Sequence, residues 1–173
     1  MKYYLPLLLL CLFTSPKASA INMEIYDYNR LLSNLNLRES TPIAYIFDKN
    51  NKASHFQVIN KKPEEYLTIT KELAISWING DNKFKKDFSL DDISKYTNNN
   101  DTKKVIATMQ KTKAKYKIIF FNAWFEVLNQ YPKLIANKKK RLELFKSISE
   151  ENNDIQIIEI ELHDKMNKMS PFN

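Results

Sequence analysis

The chain of 173 residues is nearly empty of side chains that form or break covalent bonds. It holds one cysteine, Cys11, one glycine, Gly80, and two histidines, His55 and His163. Cys11 sits inside an N-terminal apolar run, so the rest of the chain has no thiol for catalysis, disulfide formation or metal ligation. A single glycine excludes phosphate loops built from several. It also leaves the strained elbow of a serine hydrolase without its usual material. No second apolar run approaches transmembrane length.

What is present begins with a leader. Lys2 precedes the apolar run Leu5–Phe13, and Ala18-Ser19-Ala20 follows a few residues later. A positive head, a short apolar core and a small-x-small end predict a secretory signal peptide cleaved after Ala20. Pro16 and Lys17 after the run speak against a membrane anchor. Leu10 before Cys11, with apolar residues following, speaks against a lipoprotein signal. Residues 21–173 then form one domain, with 25 bases against 20 acids once Lys2 and Lys17 are gone. Abundant Lys, Asn and Ile resemble the coding of an AT-rich bacterial genome, which makes the periplasm, or secretion beyond it, the expected destination. Without cysteine such a domain is held together by packing alone.

Periodicity predicts a single α/β domain, a small mixed sheet flanked by helices. A short helix is expected over 27–36, a strand over 41–47, a turn at Asp48–Lys52 and a return strand at Ser54–Ile59. Pro63-Glu64-Glu65 opens a helix over 63–79 that Gly80 ends. Ser89–Asp92 marks a small helix, and Asn98–Asp101 leads into another near 102–112. Lys115–Asn122 is the strongest strand, apolar on both faces and so central. A long helix with Pro132 near its start uses Leu128, Tyr131, Ile135, Leu142, Phe145 and Ile148. A strand at 154–162 follows, and the intervening helix makes the two strands parallel through a right-handed crossover.

Two segments resemble halves of the thioredoxin fold. Lys117–Leu128, continuing to Tyr131–Leu134, is similar to that family's central strand entering its active-site helix, and Ile155–Asp164 to its next parallel strand. Thr41-Pro42 with Ile43–Lys52 resembles the closing hairpin, and the helix at 63–79 the closing helix. The likeness implies a thioredoxin-like three-layer arrangement, with Pro42 cis and facing Trp124. The departures are equally plain. The Cys-x-x-Cys position, near Trp124–Leu128, has no cysteine, the halves are reversed in order, and no closing hairpin follows Leu162. The resemblance therefore implies a permuted, degenerate relative without redox activity, since dithiol exchange needs a thiolate.

Candidate chemistry is sparse. His55 and His163 read as hydrogen-bonded or surface histidines, there being no apparent nucleophile for a general base to serve. A metal site would need both histidines to converge with Asp48 or Asp164, and none is expected. Glu64-Glu65, Asp91-Asp92 and Glu150-Glu151 read as helix-terminal charges. Glu159 and Glu161 read as the wet face of a strand end, and Lys138-Lys139-Lys140-Arg141 as a solvated helix face rather than a nucleic-acid patch. Trp124 and Phe125 follow a buried strand and open a helix, where an α/β sheet places its crevice. They read as core or as partner contact, and with Pro42 and Leu128 they form the candidate binding set. No catalytic residue and no cofactor is expected. The functional expectation is an exported, non-catalytic protein that binds another envelope or secreted protein, in an assembly, accessory or inhibitor role, without nucleic acid or stable membrane insertion. The alternative is a periplasmic hydrolase using carboxylates and a histidine.

Overall fold

A computed structural model describes residues 21–37, 41–59, 69–80, 82–123 and 132–163, apart from the side chain of Leu134. The proposed leader lies outside the described residues. Strand β1 (Ile21–Glu24) runs directly into helix α1 (Ile25–Leu35), and β2 (Ile43–Asp48) and β3 (Ala53–Val58) form a hairpin. Short helix α2 (Lys71–Ser76) continues as a 3-10 turn (Trp77–Asn79). Helices α3 (Leu90–Tyr96) and α4 (Asn100–Lys111) precede β4 (Tyr116–Ala123), and α5 (Pro132–Glu151) precedes β5 (Ile155–His163).

The five strands make one mixed sheet in the order β1-β5-β4-β2-β3. β4 lies at the centre, parallel to β5 and antiparallel to β2, as its two apolar faces require. Ile118, Ile119, Phe120 and Phe121 are each fully buried. Alternation along the strand sends Ile119 and Phe121 to one side and Ile118 and Phe120 to the other. Tyr45, Leu31, Ile93, Ile106 and Ile160 close the first core. Trp77, Phe145, Ile148 and Ile157 close the second. Helices thus cover both faces, α1, α3 and α4 on one and α2 with α5 on the other.

Local chemistry explains the element ends. In the hairpin turn Asp48 Oδ1 accepts from the amides of Asn50 (2.8 Å) and Lys52 (2.9 Å). Asn51 takes the left-handed conformation there, with φ 66°. Asp92 accepts from both the amide and the hydroxyl of Ser89 at 2.8 Å, starting α3. Asn99 Oδ1 accepts from the Thr102 amide at 2.8 Å, starting α4.

Several expectations need correction. β1 has no counterpart in the sequence reading, because four residues give too short an alternation to detect. The helix expected over 63–79 is not continuous: Ile69 and Thr70 are non-helical, and the Thr70 hydroxyl caps α2 by accepting from the Leu73 amide. Residues 60–68, including Glu64-Glu65, lie outside the described residues. Gly80 does end the helical segment, as expected, closing the 3-10 turn in an extended conformation with φ −65° and ψ 150°. A Cβ there would lie 3.0 Å from Gln57 Oε1 and 3.2 Å from the Trp77 carbonyl, so close approach is what favours glycine. Ile135, assigned to the apolar side of the long helix, is exposed.

Candidate functional site

α5 runs back along β5, and the two share one register. Helical positions Ile148, Phe145, Arg141 and Lys138, spaced by three or four residues, descend past strand positions Ile157, Glu159 and Glu161, spaced by two. A helix advances about 5 Å over such a step and a strand about 6.6 Å, so the rows stay in phase for a few steps. Apolar residues face each other near the start of β5. Towards its C-terminal end Arg141 meets Glu159 and Lys138 meets Glu161.

Glu159 and Arg141 are fully buried. Arg141 Nε donates to Glu159 Oε2 at 2.8 Å and Nη2 to Oε1 at 2.5 Å, a bidentate fork. Asn122, near the C-terminal end of β4, donates to the same Oε1 at 3.2 Å. Burial pushes the Glu159 carboxyl above its ordinary value, the guanidinium pulls it back, and Glu161 adds to the upward push. Glu161 Oε2 accepts from Lys138 Nζ at 2.6 Å and lies 3.6 Å from His163 Nε2. That nitrogen is itself 2.7 Å from Asn22 Oδ1 on β1. Arg141 Nη1 and Glu161 Oε1 are buried without a hydrogen-bond partner among the described residues.

This network overturns two expectations. Glu159 and Glu161 are not a wet strand face but are 3% and 0% exposed. The basic run is not wholly solvated: Lys139 and Lys140 face outward, whereas Arg141 is buried and Lys138 only partly exposed. The cause is helical phase, since Arg141 lies four residues before Phe145 and seven before Ile148, on the core stripe.

Of the expected binding residues, Pro42 is buried at the entry to β2, after a cis Thr41–Pro42 peptide. Register pairs Ile43 with Phe121, so Pro42 enters the sheet beside the end of β4 that leads to Trp124. Trp124, Phe125 and Leu128 lie outside the described residues, as does Asp164. The histidines are not brought together. His55 is buried in β3, its Nε2 2.8 Å from the Trp77 carbonyl and its Nδ1 2.9 Å from the Ser54 hydroxyl. His163 meets Glu161 at the far edge of β5. No cluster of three His, Cys, Asp or Glu side chains able to hold a metal occurs among the described residues. The other described acidic pairs are engaged by neighbouring side chains: Asp91 with Gln110, Asp92 with Ser89, Glu150 with Lys146, and Glu151 with Lys71 and Ser147.

The arrangement defines an open five-stranded α/β sheet with a buried charge network at the C-terminal end of its parallel strands. No protein family, curated protein or solved structure matches the chain. No helix among the described residues is long and apolar enough to cross a membrane.

Proposed function

We propose that the chain is an exported, non-catalytic binding module whose contact surface lies where β4 leaves the sheet and Pro42 enters it. One observation carries this reading: the pairing of Ile43 with Phe121 sets cis-Pro42 beside the strand end from which Trp124 and Phe125 follow. In sequence Trp124 and Phe125 directly follow Ala123, the last residue of β4. The antiparallel hairpin beside β4, entered through that proline, also supports a redox-inactive thioredoxin-like module. The buried Arg141–Glu159 fork ties α5 to β5 near the C-terminal end of the parallel strands. Export rests on the leader-like sequence of residues 1–20.

Chemical crosslinking of the chain in a periplasmic extract tests the reading. A discrete adduct is expected with wild type and should disappear in Trp124→Ala/Phe125→Ala, while circular dichroism stays unchanged. N-terminal sequencing of the exported chain should begin at Ile21. An adduct indifferent to that double substitution would sink the assigned surface.

The contact of His163 with Glu161 favours a second reading, a hydrolase with that pair as its acid–base group. Turnover of a cell-wall or sugar substrate, lost in His163→Ala, would put the enzyme in place of the binding module.

A further inference from the structure

A cleft of about 210 Å³ opens on the face of the sheet opposite α5, immediately after Pro42. Ile43, Tyr45, Phe56, Phe84 and Leu37 line it, and Lys85 and Lys86 form its rim. Its walls are an aromatic cluster. Phe84 stacks on Tyr45 at 5.8 Å between ring centroids, meets Phe56 at 5.1 Å and stands edge-on to Phe88 at 4.7 Å. Tyr45 is 3% exposed, and burial pushes its phenol up to about 12, so the floor carries no charge at neutral pH.

The rim contrasts with this floor. Lys83, Lys85 and Lys86 flank Phe84 within four residues, all are exposed, and none forms an ion pair among the described residues. The neighbouring Asp87 pairs with Lys52 at 3.1 Å on the exposed surface. The segment is anchored rather than loose: the Phe56 amide donates to the Asn82 carbonyl and the Ala53 amide to the Phe88 carbonyl, tying it to the outer edge of β3.

We propose that this cleft docks an acidic peptide segment of a partner protein through one bulky apolar side chain. Size and charge select that occupant. Pockets for whole small ligands run from roughly 300 to 1,000 Å³, so a cleft of about 210 Å³ takes one anchoring side chain. Two exposed lysines on the rim of an apolar floor, Lys85 and Lys86, with no ion pair among the described residues, complement carboxylates flanking such an anchor. The proposal rests on the binding reading above and names the chemistry of its partner. Because Ile43 follows Pro42, the cleft begins beside the proposed contact surface at the start of β2.

Fluorescence anisotropy tests it, using the processed chain recovered from the periplasm of an expression host. The probe is a short labelled peptide with one central Phe flanked by Glu residues. Saturable binding is expected, about thirty-fold weaker when the Phe is replaced by Ala. It should be about ten-fold weaker for Lys85→Glu/Lys86→Glu, two exposed positions whose reversal leaves the fold intact, and should weaken as salt rises. Equal binding of a peptide with Lys in place of Glu would overturn the proposal. So would self-association that the lysine reversal abolishes, because the occupant would then be a second copy of the chain. If the peptide fails while crosslinking still captures a partner through Trp124 and Phe125, the cleft assignment falls and the binding reading stands. If crosslinking captures nothing while the peptide binds, the contact surface at the sheet end falls instead.

Discussion

Replacing Arg141 by methionine isolates the charge of the buried fork with little change of volume. The guanidinium sits 5.9 Å from the Phe120 ring centroid, a contact a thioether can take over, so the cavity contribution is small. What remains is Glu159, fully buried, with only Asn122 still donating to it among the described residues. Removing one partner of a buried pair costs about 3–5 kcal/mol, a large share of the roughly 5–15 kcal/mol that holds a domain together. With a urea slope of about 2 kcal/mol per molar, the midpoint at neutral pH should fall by about 2 M. The cost must also depend on pH. Burial already lifts Glu159 above its ordinary 4.5, so the folded chain keeps a proton that the unfolded chain has released. Stability therefore falls as pH rises from that value through the folded one. Without Arg141 the folded value climbs further and the fall deepens, by up to about 1.4 kcal/mol per pH unit. Urea titrations of both forms should show a gap below about 1 kcal/mol near pH 4, where the carboxyl is protonated in each, widening to its full size at neutral pH and above. A gap of constant size, or a neutral-pH cost under about 1 kcal/mol, would refute the claim that this pair is dry.

Two further substitutions probe other buried polar groups. The Thr97 hydroxyl, fully buried, donates to Asp27 Oδ2 at 2.6 Å and joins the turn after α3 to α1. Thr97→Val should cost about 1.5 kcal/mol in urea unfolding, and a neutral result would mean that Asp27 is satisfied by the Asn98 amide and Arg30 alone. Lys117 is buried in β4 with Nζ 2.5 Å from Asn51 Oδ1; burial depresses its pKa and Asp48 opposes this. Lys117→Met should stabilise at neutral pH by about 1 kcal/mol, because no buried ammonium remains. The advantage should shrink as pH rises toward the ordinary lysine value of 10.5, since the unfolded wild type then binds more protons than the folded chain. Loss of stability at pH 7 would show that the bond to the hairpin turn outweighs desolvation.

The sheet was legible where a single strand carries its own evidence. Ile118–Phe121 has apolar residues on consecutive positions, as a strand covered on both sides does, and β4 is indeed central. The hairpin was legible from its turn, because Asp48 and Asn51 supply the acceptor and the left-handed residue that glycine would otherwise provide. Strand β1 was not. Ile21 and Met23 are buried and Asn22 and Glu24 exposed, a correct alternation, but two repeats cannot be told from chance. The break at Ile69 and Thr70 was hidden for another reason. The apolar spacing of 66–78 passes through it unchanged, and only the Thr70 hydroxyl, competing for the Leu73 amide, marks where α2 starts.

The charge network shows what a pattern read one element at a time leaves out. Glu159 and Glu161 alternate with Ile160 and Leu162, and alternation alone assigns the carboxylates to water. The face they share, however, also carries Ile155 and Ile157, which are core residues, so one face of one strand passes from apolar to acidic as it runs under α5. A buried acidic half requires basic residues on the element that covers it. α5 supplies them at Lys138 and Arg141, in helical phase with Phe145 and Ile148, which cover the apolar half. The signal was therefore present, distributed between two elements: an apolar-to-acidic gradient on the strand and an apolar-to-basic gradient running the opposite way along the helix. Because the match fixes both the direction and the register of α5 over β5, sliding the helix by one turn would leave Glu159 opposite Phe145 or Lys138 instead of its fork. This pairing gives the end of the sheet beside Pro42 one arrangement of α5, the condition a preorganised contact surface requires.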